Sequence, residues 1–390
     1  MKIATPLSPP WTDRIHPQAA EDPARRSEFQ LDRDRVLHSR SFRRLLHKTQ
    51  VFVVTEADFF RTRITHSLEV AQVGRGIAYE LGLNADLAEA IALAHDLGHG
   101  PFGHAGESVL NDLLVDHGGW NANEHSLEVV DEHESPYPEF RGLNLTRATR
   151  EGLALHATDF DEPAKSAEFK ELPQGGPESQ IISEADESAF VAHDVEDSVN
   201  GGLLRLDEIK SDGPALWREA ITRAEERCST NPRADLIRDR DRVVLRRATS
   251  WVIGSLIENI VKSSRDRISA SGITSNDQVR NQSNVMYCAS PEMTKHRKEI
   301  NRYMTDRVYR HPSILRQTQR GQMVLTALFE RFVNEPSLMP LSTQEKLKLP
   351  GASTERVVAT FLAGMTDRFA LDTYSEIFEP LSRSFGGRHD

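Results

Sequence analysis

The segment ADLAEAIALAHDLGHGPFGHAGE, residues 85–107, gives the strongest indication of both the fold and the chemistry. Its first half is apolar and rich in alanine, and Leu87, Ile91 and His95 recur every fourth residue, which predicts one face of a helix. Glycines and a proline follow and end that helix. Asp96 therefore lies at the end of an apolar helix, where a buried carboxylate without a partner is costly. A divalent cation bound by His95 and Asp96 would remove that cost; a solvent-exposed cluster at the helix end is the alternative.

A second apolar stripe lies upstream, on a helix predicted from Thr65 to Leu81. Its spacing is that of one helix face, and its members are His66, Val70, Val73, Ile77 and Leu81. Thr65 is the expected N-cap of this helix. His66 thus lies at the buried end of the stripe, where it is either a hydrogen-bonded core histidine or a metal ligand.

A third helix, predicted over residues 179–199, carries several acidic residues beside a face of small apolar ones. Asp194 lies next to that face, although a solvent-exposed acidic helix explains the same pattern. The four candidate metal ligands are His66, His95, Asp96 and Asp194. Imidazole and carboxylate ligands together suit Mn, Mg, Fe, Co, Ni or Zn. Such a site suits hydrolysis, because the ion polarises a phosphoryl oxygen and lowers the pKa of bound water.

Helical periodicity dominates the rest of the chain, and the one strand signal is a short run at Thr49–Thr55. We therefore predict an all-α fold. The proline-rich residues 1–28 are expected to form a loose arm, and residues 29–205 a helical core that holds the ligands. Residues 206–390 are expected to add helices that wrap this core or form a second lobe. These C-terminal helices would complete the substrate pocket and provide oligomer contacts.

The composition limits the class of protein. The chain has 390 residues with 48 basic and 59 acidic ones, a net charge of −11 and a hydrophobic fraction of 38%. These values argue against a membrane protein and against a protein whose whole surface coats nucleic acid. The two cysteines lie far apart, and the first residues contain no apolar run long enough for a signal peptide. We therefore expect a cytoplasmic protein with no membrane partner.

The order of the sequence motifs resembles that of a known family. The pattern H…HD…D is similar to the signature of the HD-domain metal-dependent phosphohydrolases, and the flanking blocks resemble the deoxyguanosine triphosphate triphosphohydrolase family of dNTPases. The blocks follow the order of that family, and they are FRRL (42–45), KTQVF (48–52), RTRITHSLEVAQ (61–72), AHDLGHGPFGHAGE (94–107), GLNLT (142–146), AHDVED (192–197), RVYRHP (307–312) and AGMTDR (363–368).

This resemblance implies an all-α HD core with one divalent ion per site, and a homo-oligomer between dimer and hexamer. It implies that a metal-activated water attacks the α-phosphorus of a dNTP and releases a deoxynucleoside and inorganic triphosphate. It also implies that Tyr309 packs on the deoxyribose. The implied metal ligands are His66, His95, Asp96 and Asp194. The implied substrate contacts are Gln50, Arg63, Arg43, Lys48, Tyr309 and Asp367.

Release of the 5′ oxygen needs a proton donor, because the leaving group is otherwise very basic. The resemblance supports His104 and Glu107 as a catalytic pair, with His99 beside them. Many relatives carry a histidine at the position of Ala122, so here either His104 takes that role or His125 reaches in from one turn further on. Three further departures from the family pattern are Gly100, Phe59–Phe60 and Ser198.

A dNTP is a polyanion, so its pocket must be locally positive. Residues 25–63 contain ten Lys and Arg against five Asp and Glu, which is 10 − 5 = +5, and Arg suits bidentate phosphate contacts. Two alternatives remain open. One is an HD hydrolase that acts on a nucleoside monophosphate or a phosphodiester. The other is a regulator that binds a nucleotide or single-stranded DNA. A nucleotide activator is a further expected partner.

Overall fold

The predicted all-α fold is confirmed. The computed structural model describes residues 8–17, 26–51, 60–159, 161–164, 166–230 and 239–379. Within these ranges the strand pairing is limited to two isolated bridges, Arg14 with Thr146 and Thr49 with Thr62. The α-helices are α1 (Glu28–Leu37), α2 (Arg40–Arg44), α3 (Arg63–Leu81), α4 (Ala85–Ala94), α5 (Gly103–Leu113), α6 (Ala122–Glu128), α7 (Arg147–Ala154), α8 (Pro177–Asn200), α9 (Leu206–Asp212), α10 (Ala215–Ser229), α11 (Arg240–Ser271), α12 (Asn276–Arg280), α13 (Pro291–Met304), α14 (Pro312–Asn334), α15 (Leu341–Lys346), α16 (Thr354–Ala363) and α17 (Asp367–Phe378).

The larger apolar core is centred on α3, α4 and α8. Val70 and Ile77 of α3 and Ile91 of α4 are buried in it. Gly74 lets α3 and α8 approach closely, because a Cβ at this position would lie 2.3 Å from the Cδ1 atom of Ile182. This contact sets the position of α8 against the two helices that carry the predicted histidine ligands.

A smaller second core joins α5 to the C-terminal helices α14, α16 and α17. Phe102 and Leu110 pack there with Leu325 and Leu362. Helices α9 to α13 instead contribute their apolar residues to the larger core. The C-terminal half of the chain therefore contributes apolar residues both to the larger core and to the second one.

Residues 8–17 are not the loose arm that their prolines suggested. Arg14 donates a hydrogen bond of 2.6 Å to Asp32 Oδ1, and its side chain is buried. The guanidinium of Arg280 lies 3.6 Å from the ring centroid of Trp11, a cation–π contact. Backbone hydrogen bonds from Arg147 and Ala148 attach the same segment to the start of α7.

Several predicted boundaries shift by a few residues. Helix α3 has Thr62 rather than Thr65 as its N-cap, and Thr65 Oγ1 accepts a hydrogen bond of 3.0 Å from the Thr62 amide. The predicted strand reduces to the bridge at Thr49, and its residues 52–55 lie outside the described ranges.

No helix among the described residues combines the length and the apolar character needed to cross a bilayer.

Candidate metal centre and catalytic cavity

Arg63 and His66 lie on the first turns of α3, and both are buried. Arg63 Nη1 donates to Asp96 Oδ1 at 2.6 Å. Burial alone would raise the pKa of the Asp96 carboxyl, but the neighbouring His95 and Arg63 hold that pKa well below its usual range. Asp96 is therefore an ionised carboxylate inside the protein, as the sequence pattern required.

His95 begins the 3-10 turn His95–Gly98 that ends α4. Its Nδ1 lies 2.6 Å from the carbonyl oxygen of Ala92. A carbonyl can only accept, so Nδ1 carries the proton and Nε2 keeps a free lone pair. That Nε2 is buried and makes no hydrogen bond, and it lies 3.6 Å from Asp96 Oδ1. Burial also lowers the pKa of His95, which keeps the ring neutral.

Asp186 of α8 lies among three imidazoles. Its carboxylate oxygens are 2.8 Å from His66 Nε2, 3.2 Å from His156 Nε2 and 3.9 Å from His95 Nε2. Burial would raise the pKa of Asp186, but the hydrogen bonds with His156 and His66 hold it well below its usual range. Asp186 is thus a second ionised carboxylate next to the histidines.

These residues fit a divalent metal ion. The ligand atoms of His66, His95 and Asp96 lie within 4.8 Å of one another, and so do those of His95, His156 and Asp186. The unpartnered Nε2 of His95 is the buried polar atom that an ion would satisfy. Its Nδ1–H bond to a carbonyl is the arrangement typical of metal-binding histidines. Two imidazoles and two carboxylates are therefore available, from His66, His95, Asp96 and Asp186.

The structure does not bring Asp194, the fourth predicted ligand, into this group. Asp194 follows Asp186 by eight residues on α8, which places it about two turns further along and roughly 80° around the helix axis. Its carboxylate accepts a hydrogen bond of 2.6 Å from the Tyr309 hydroxyl. No group of potential metal ligands among the described residues includes it. Burial raises the pKa of Asp194 to about 7, the opposite direction to Asp186.

The predicted catalytic residues His99, His104 and Glu107 come together beside the centre. His99 Nδ1 is hydrogen-bonded to Glu107 Oε1, and His99 Nε2 lies 3.4 Å from Asp96 Oδ1. Burial opposes ionisation of Glu107, but His99 and then His104 hold its pKa well below its usual range. His104 itself is exposed at the start of α5. This row of side chains therefore leads from the metal centre to solvent.

One small cavity joins these groups, with a free volume of about 30 Å³. That space suits one or two water molecules. The predicted residues Gln50 and Arg63 line it together with His66, Asp96, His99 and His104. The sequence did not single out the other polar side chains that line it, which are Thr158, Asp159, Asp161, Asp186, Glu187, Arg297 and Asn301. Arg297 and Asn301 come from α13, so the C-terminal half of the chain contributes to the site.

The side of the cavity formed by α8 and α13 carries both acidic and basic side chains. Arg297 Nη1 lies 2.8 Å from Glu184 and 2.9 Å from Glu187. Burial raises the pKa of Glu187 to about 7, although Arg297 opposes this. Arg297 and Arg63 are therefore two cations that line a cavity that several carboxylates also line.

Lys48 and Asp367, which are predicted substrate contacts, do not line this cavity. Lys48 Nζ donates to the carbonyl oxygens of His99 and, at 2.9 Å, of Ala363. The Asp367 carboxylate accepts hydrogen bonds from the amides of Thr49 at 3.0 Å and Phe102 at 2.9 Å. Both side chains are buried, and their hydrogen bonds join the segment next to Gln50 to the C-terminal helices.

Arg43, His125 and Tyr309 also lie outside the cavity. Arg43 is exposed and donates to the carbonyl oxygen of His38 at 2.9 Å. His125 faces a separate and larger cavity, so it does not reach the centre in place of the histidine that relatives carry at Ala122. Tyr309 binds Asp194, and its ring centroid is 6.3 Å from that of Phe190, which does line the cavity.

The sequence contained a signal for Asp186 that the prediction passed over. Ile182, Asp186 and Ala189 follow one another by four and three residues, the spacing of one helix face. An aspartate inside a buried stripe indicates a partnered carboxylate more strongly than Asp194, which lies beside the stripe. No comparable signal marks Arg297 and Asn301, because only the folded chain brings α13 to the cavity.

Comparisons with known proteins agree with this fold. Residues 63–190 match the HD domain, and residues 287–376 match the phosphohydrolase-associated domain. The protein is thus an HD-domain phosphohydrolase, a class of metal-dependent hydrolases.

Full-length relatives narrow the assignment to one family. A deoxyguanosinetriphosphate triphosphohydrolase-like protein of Geobacter sulfurreducens is 41% identical over 372 residues, which cover 95% of this chain and 93% of the relative. Proteins with the same name from Geobacter metallireducens and Syntrophus aciditrophicus are 41% and 38% identical, over 92% of this chain and 90% and 89% of their own lengths. The chain belongs to the family of deoxyguanosinetriphosphate triphosphohydrolase-like proteins, and the predicted family is confirmed.

Proposed function

We propose that this chain is a metal-dependent dNTP triphosphohydrolase that converts a deoxynucleoside triphosphate and water into a deoxynucleoside and inorganic triphosphate. One observation supports this most: the buried His95 Nε2 without a hydrogen-bond partner lies next to the two carboxylates Asp96 and Asp186. The names of the relatives, which cover nearly the whole chain, point to the same substrate class.

The proposed ligands of the ion are His66, His95, Asp96 and Asp186. An ion held there supplies Lewis-acid chemistry, which polarises a phosphoryl oxygen and lowers the pKa of water. The protein side chains provide the rest. Arg63 holds Asp96 through the 2.6 Å bond and brings a buried positive charge to the cavity. Arg297 supplies a second cation among the lining residues.

The proposed general acid is His104, which lines the cavity and is open to solvent. In the reaction, the bond from the water oxygen to the α-phosphorus forms, the bond from that phosphorus to O5′ breaks, and the proton that the water loses passes to solvent. The proton that O5′ needs comes from His104, and Glu107 lies near enough to stabilise the protonated ring. His99 positions Glu107 through its Nδ1 hydrogen bond.

A second candidate function is favoured by the size of the cavity. A free volume of about 30 Å³ is far smaller than the few hundred cubic ångströms that sites for drug-sized ligands occupy. A nucleoside triphosphate therefore needs the cavity to widen, whereas a smaller phosphorylated compound needs less movement. An HD nucleotidase or phosphodiesterase on another nucleotide is the alternative that the product analysis must separate.

The test is a substrate panel with product analysis. Purified protein with Mn²⁺ or Mg²⁺ is incubated with each dNTP alone and in pairs, and the products are separated by chromatography. We expect deoxynucleoside and triphosphate, and no activity from the Asp186→Asn variant. Release of a monophosphate with pyrophosphate, or hydrolysis of monophosphates alone, would contradict the proposal. A rate that rises only in a pair identifies a nucleotide activator.

Two further expectations accompany this proposal, a homo-oligomer between dimer and hexamer and binding of single-stranded DNA. Sedimentation of the full chain measures the first. Filter binding of a single-stranded oligonucleotide, with the salt concentration varied, measures the second.

A further inference from the structure

A second group of metal-type ligands lies away from the catalytic cavity, on α6 and the turn that follows it. His125, Glu128 and His133 each offer one ligand atom, and the three atoms lie within 4.8 Å of one another. We propose that these three side chains form a second metal site that binds a first-row transition ion such as Zn²⁺. Two imidazoles and one carboxylate with an open position are a known Zn²⁺ arrangement.

The backbone brings these three residues onto one face. His133 follows His125 by eight residues, and at 3.6 residues per turn the two would lie about 80° apart. Residues Val129–His133 form a π-helical turn, which takes more residues per turn than an α-helix and so returns His133 towards His125. The two ring centroids are 5.6 Å apart. Such π turns are rare in proteins as a whole, but those that occur are often found at functional sites.

The individual atoms are placed as ligands. Glu128 Oε2 lies 3.0 Å from His125 Nδ1 and 3.9 Å from His133 Nε2. The ring of His125 packs against Trp120 with centroids 4.7 Å apart, which fixes its orientation. His133 Nε2 is buried and has no hydrogen-bond partner. A simple hydrogen bond between His125 and Glu128 explains those two residues but leaves the His133 nitrogen unexplained, whereas a shared ion satisfies all three.

The cationic side chains around the proposed site repel a metal ion but leave the ligand atoms available. Lys48 and Arg356 lie near His125, and Lys346 lies near His133. Arg356 is 3.7 Å from Glu128 Oε1, which leaves Oε2 for the ion.

His125 and His133 line a cavity of about 1400 Å³ between the larger core and the C-terminal helices. Arg40, Arg43 and Arg44 line that cavity with Lys346. Water or an anion can complete the coordination shell there. The proposed site is therefore accessible from a cavity that both parts of the chain form, and it is separate from the centre at His66 and His95.

The experiment counts metal ions in the full-length protein without substrate, so its result does not depend on the proposed activity. Chelator-treated protein is titrated with Zn²⁺, and bound zinc per chain is measured after gel filtration. We expect Glu128→Gln and His133→Ala each to bind one ion fewer than the wild type. His117→Ala, which changes a part-exposed histidine 3.7 Å from Glu355, should bind the wild-type number.

The catalytic variant Asp186→Asn provides the complementary measurement. It should keep the ion at Glu128 while losing the one at His95. Co²⁺ bound at Glu128 in this variant should give an absorption spectrum, and adding the Glu128→Gln substitution to Asp186→Asn should abolish that spectrum. Equal zinc content in the wild type, Glu128→Gln and His133→Ala would overturn the proposal. Circular dichroism checks folding, and Glu128→Gln, which conserves volume, decides the matter if His133→Ala fails to fold.

Discussion

The two halves of α8 place an aspartate in opposite surroundings. Asp186 lies among three imidazoles that hold its pKa well below the usual range. Asp194, two turns later, faces Tyr309 and the carboxylate of Asp197, and burial raises its pKa to about 7. Both residues are buried aspartates on the same helix. The comparison teaches that the partners brought by other helices, rather than the residue type or the neighbouring histidine, decide which carboxylate is ready to bind a cation.

The largest effect that separates the two halves is expected from Asp186→Asn. The amide cannot replace the carboxylate charge beside His66 and His95, so we expect metal affinity and dNTP hydrolysis to fall by more than about 100-fold. Asp194→Asn should keep the metal ion, as measured by metal analysis of the purified variants. Loss of the ion from the Asp194 variant alone would reverse the assignment.

The next effect concerns the arginines that serve each half. Arg63→Ala leaves Asp96 without its buried partner, which we expect to cost about 3–5 kcal/mol in the free energy of unfolding. Added Mn²⁺ should restore part of that stability, because an ion bound by Asp96 stabilises the folded state.

Arg61→Ala is the matched control for that experiment. Arg61 pairs with Glu196 and Asp197 near the second half of α8. Its loss should also lower stability in urea unfolding, but Mn²⁺ should restore none of the difference between this variant and the wild type. Equal rescue of both variants would show that the ion does not distinguish the two ends.

The next largest effect is expected in the pH dependence of stability, to which the raised pKa of Asp194 contributes. Its carboxyl keeps its proton in the folded state up to about pH 7, whereas the unfolded chain releases it near the ordinary value of 3.8. Between these values the folded state binds more protons, so the free energy of unfolding falls as the pH rises. Asp194→Asn should reduce this fall, by a few kcal/mol at most. An unchanged slope in urea titrations from pH 4 to 7 would contradict the raised pKa.

The smallest effect is expected from Tyr309→Phe. It removes the hydroxyl that donates to Asp194, and an unsatisfied buried acceptor costs about 1–3 kcal/mol. Thermal unfolding measures this loss. Metal content should not change, since the hydroxyl lies at the Asp194 end of α8. Loss of the metal ion from the Tyr309→Phe variant would show that the two ends of α8 belong to one site.

The sequence predicted the parts of the site that are local in the chain. His95, Asp96, His99, His104 and Glu107 fall within one short segment, and a helix end followed by glycines fixes their relative positions. His66 was predicted because its helix face is regular. The all-α fold followed in the same way, since the apolar spacing of α3, α4 and α8 is intact in the sequence.

The remaining residues depend on contacts between distant segments. The sequence favours Asp186 over Asp194 only through its place in the buried stripe of α8. The contact of that stripe with α3 depends on the folded chain, in which Gly74 leaves room for Ile182. Arg297 reaches the cavity only through the packing of α13. The hydrogen bond from the Phe102 amide to Asp367 depends on the second core, which joins α5 to helices more than two hundred residues later in the chain.

The most direct test is an anomalous difference map from crystals grown with Mn²⁺. The account predicts a peak at about 2.0–2.3 Å from nitrogens of His66 and His95 and from carboxylate oxygens of Asp96 and Asp186. A peak coordinated by Asp194, or a centre without Asp186 among its ligands, would contradict it.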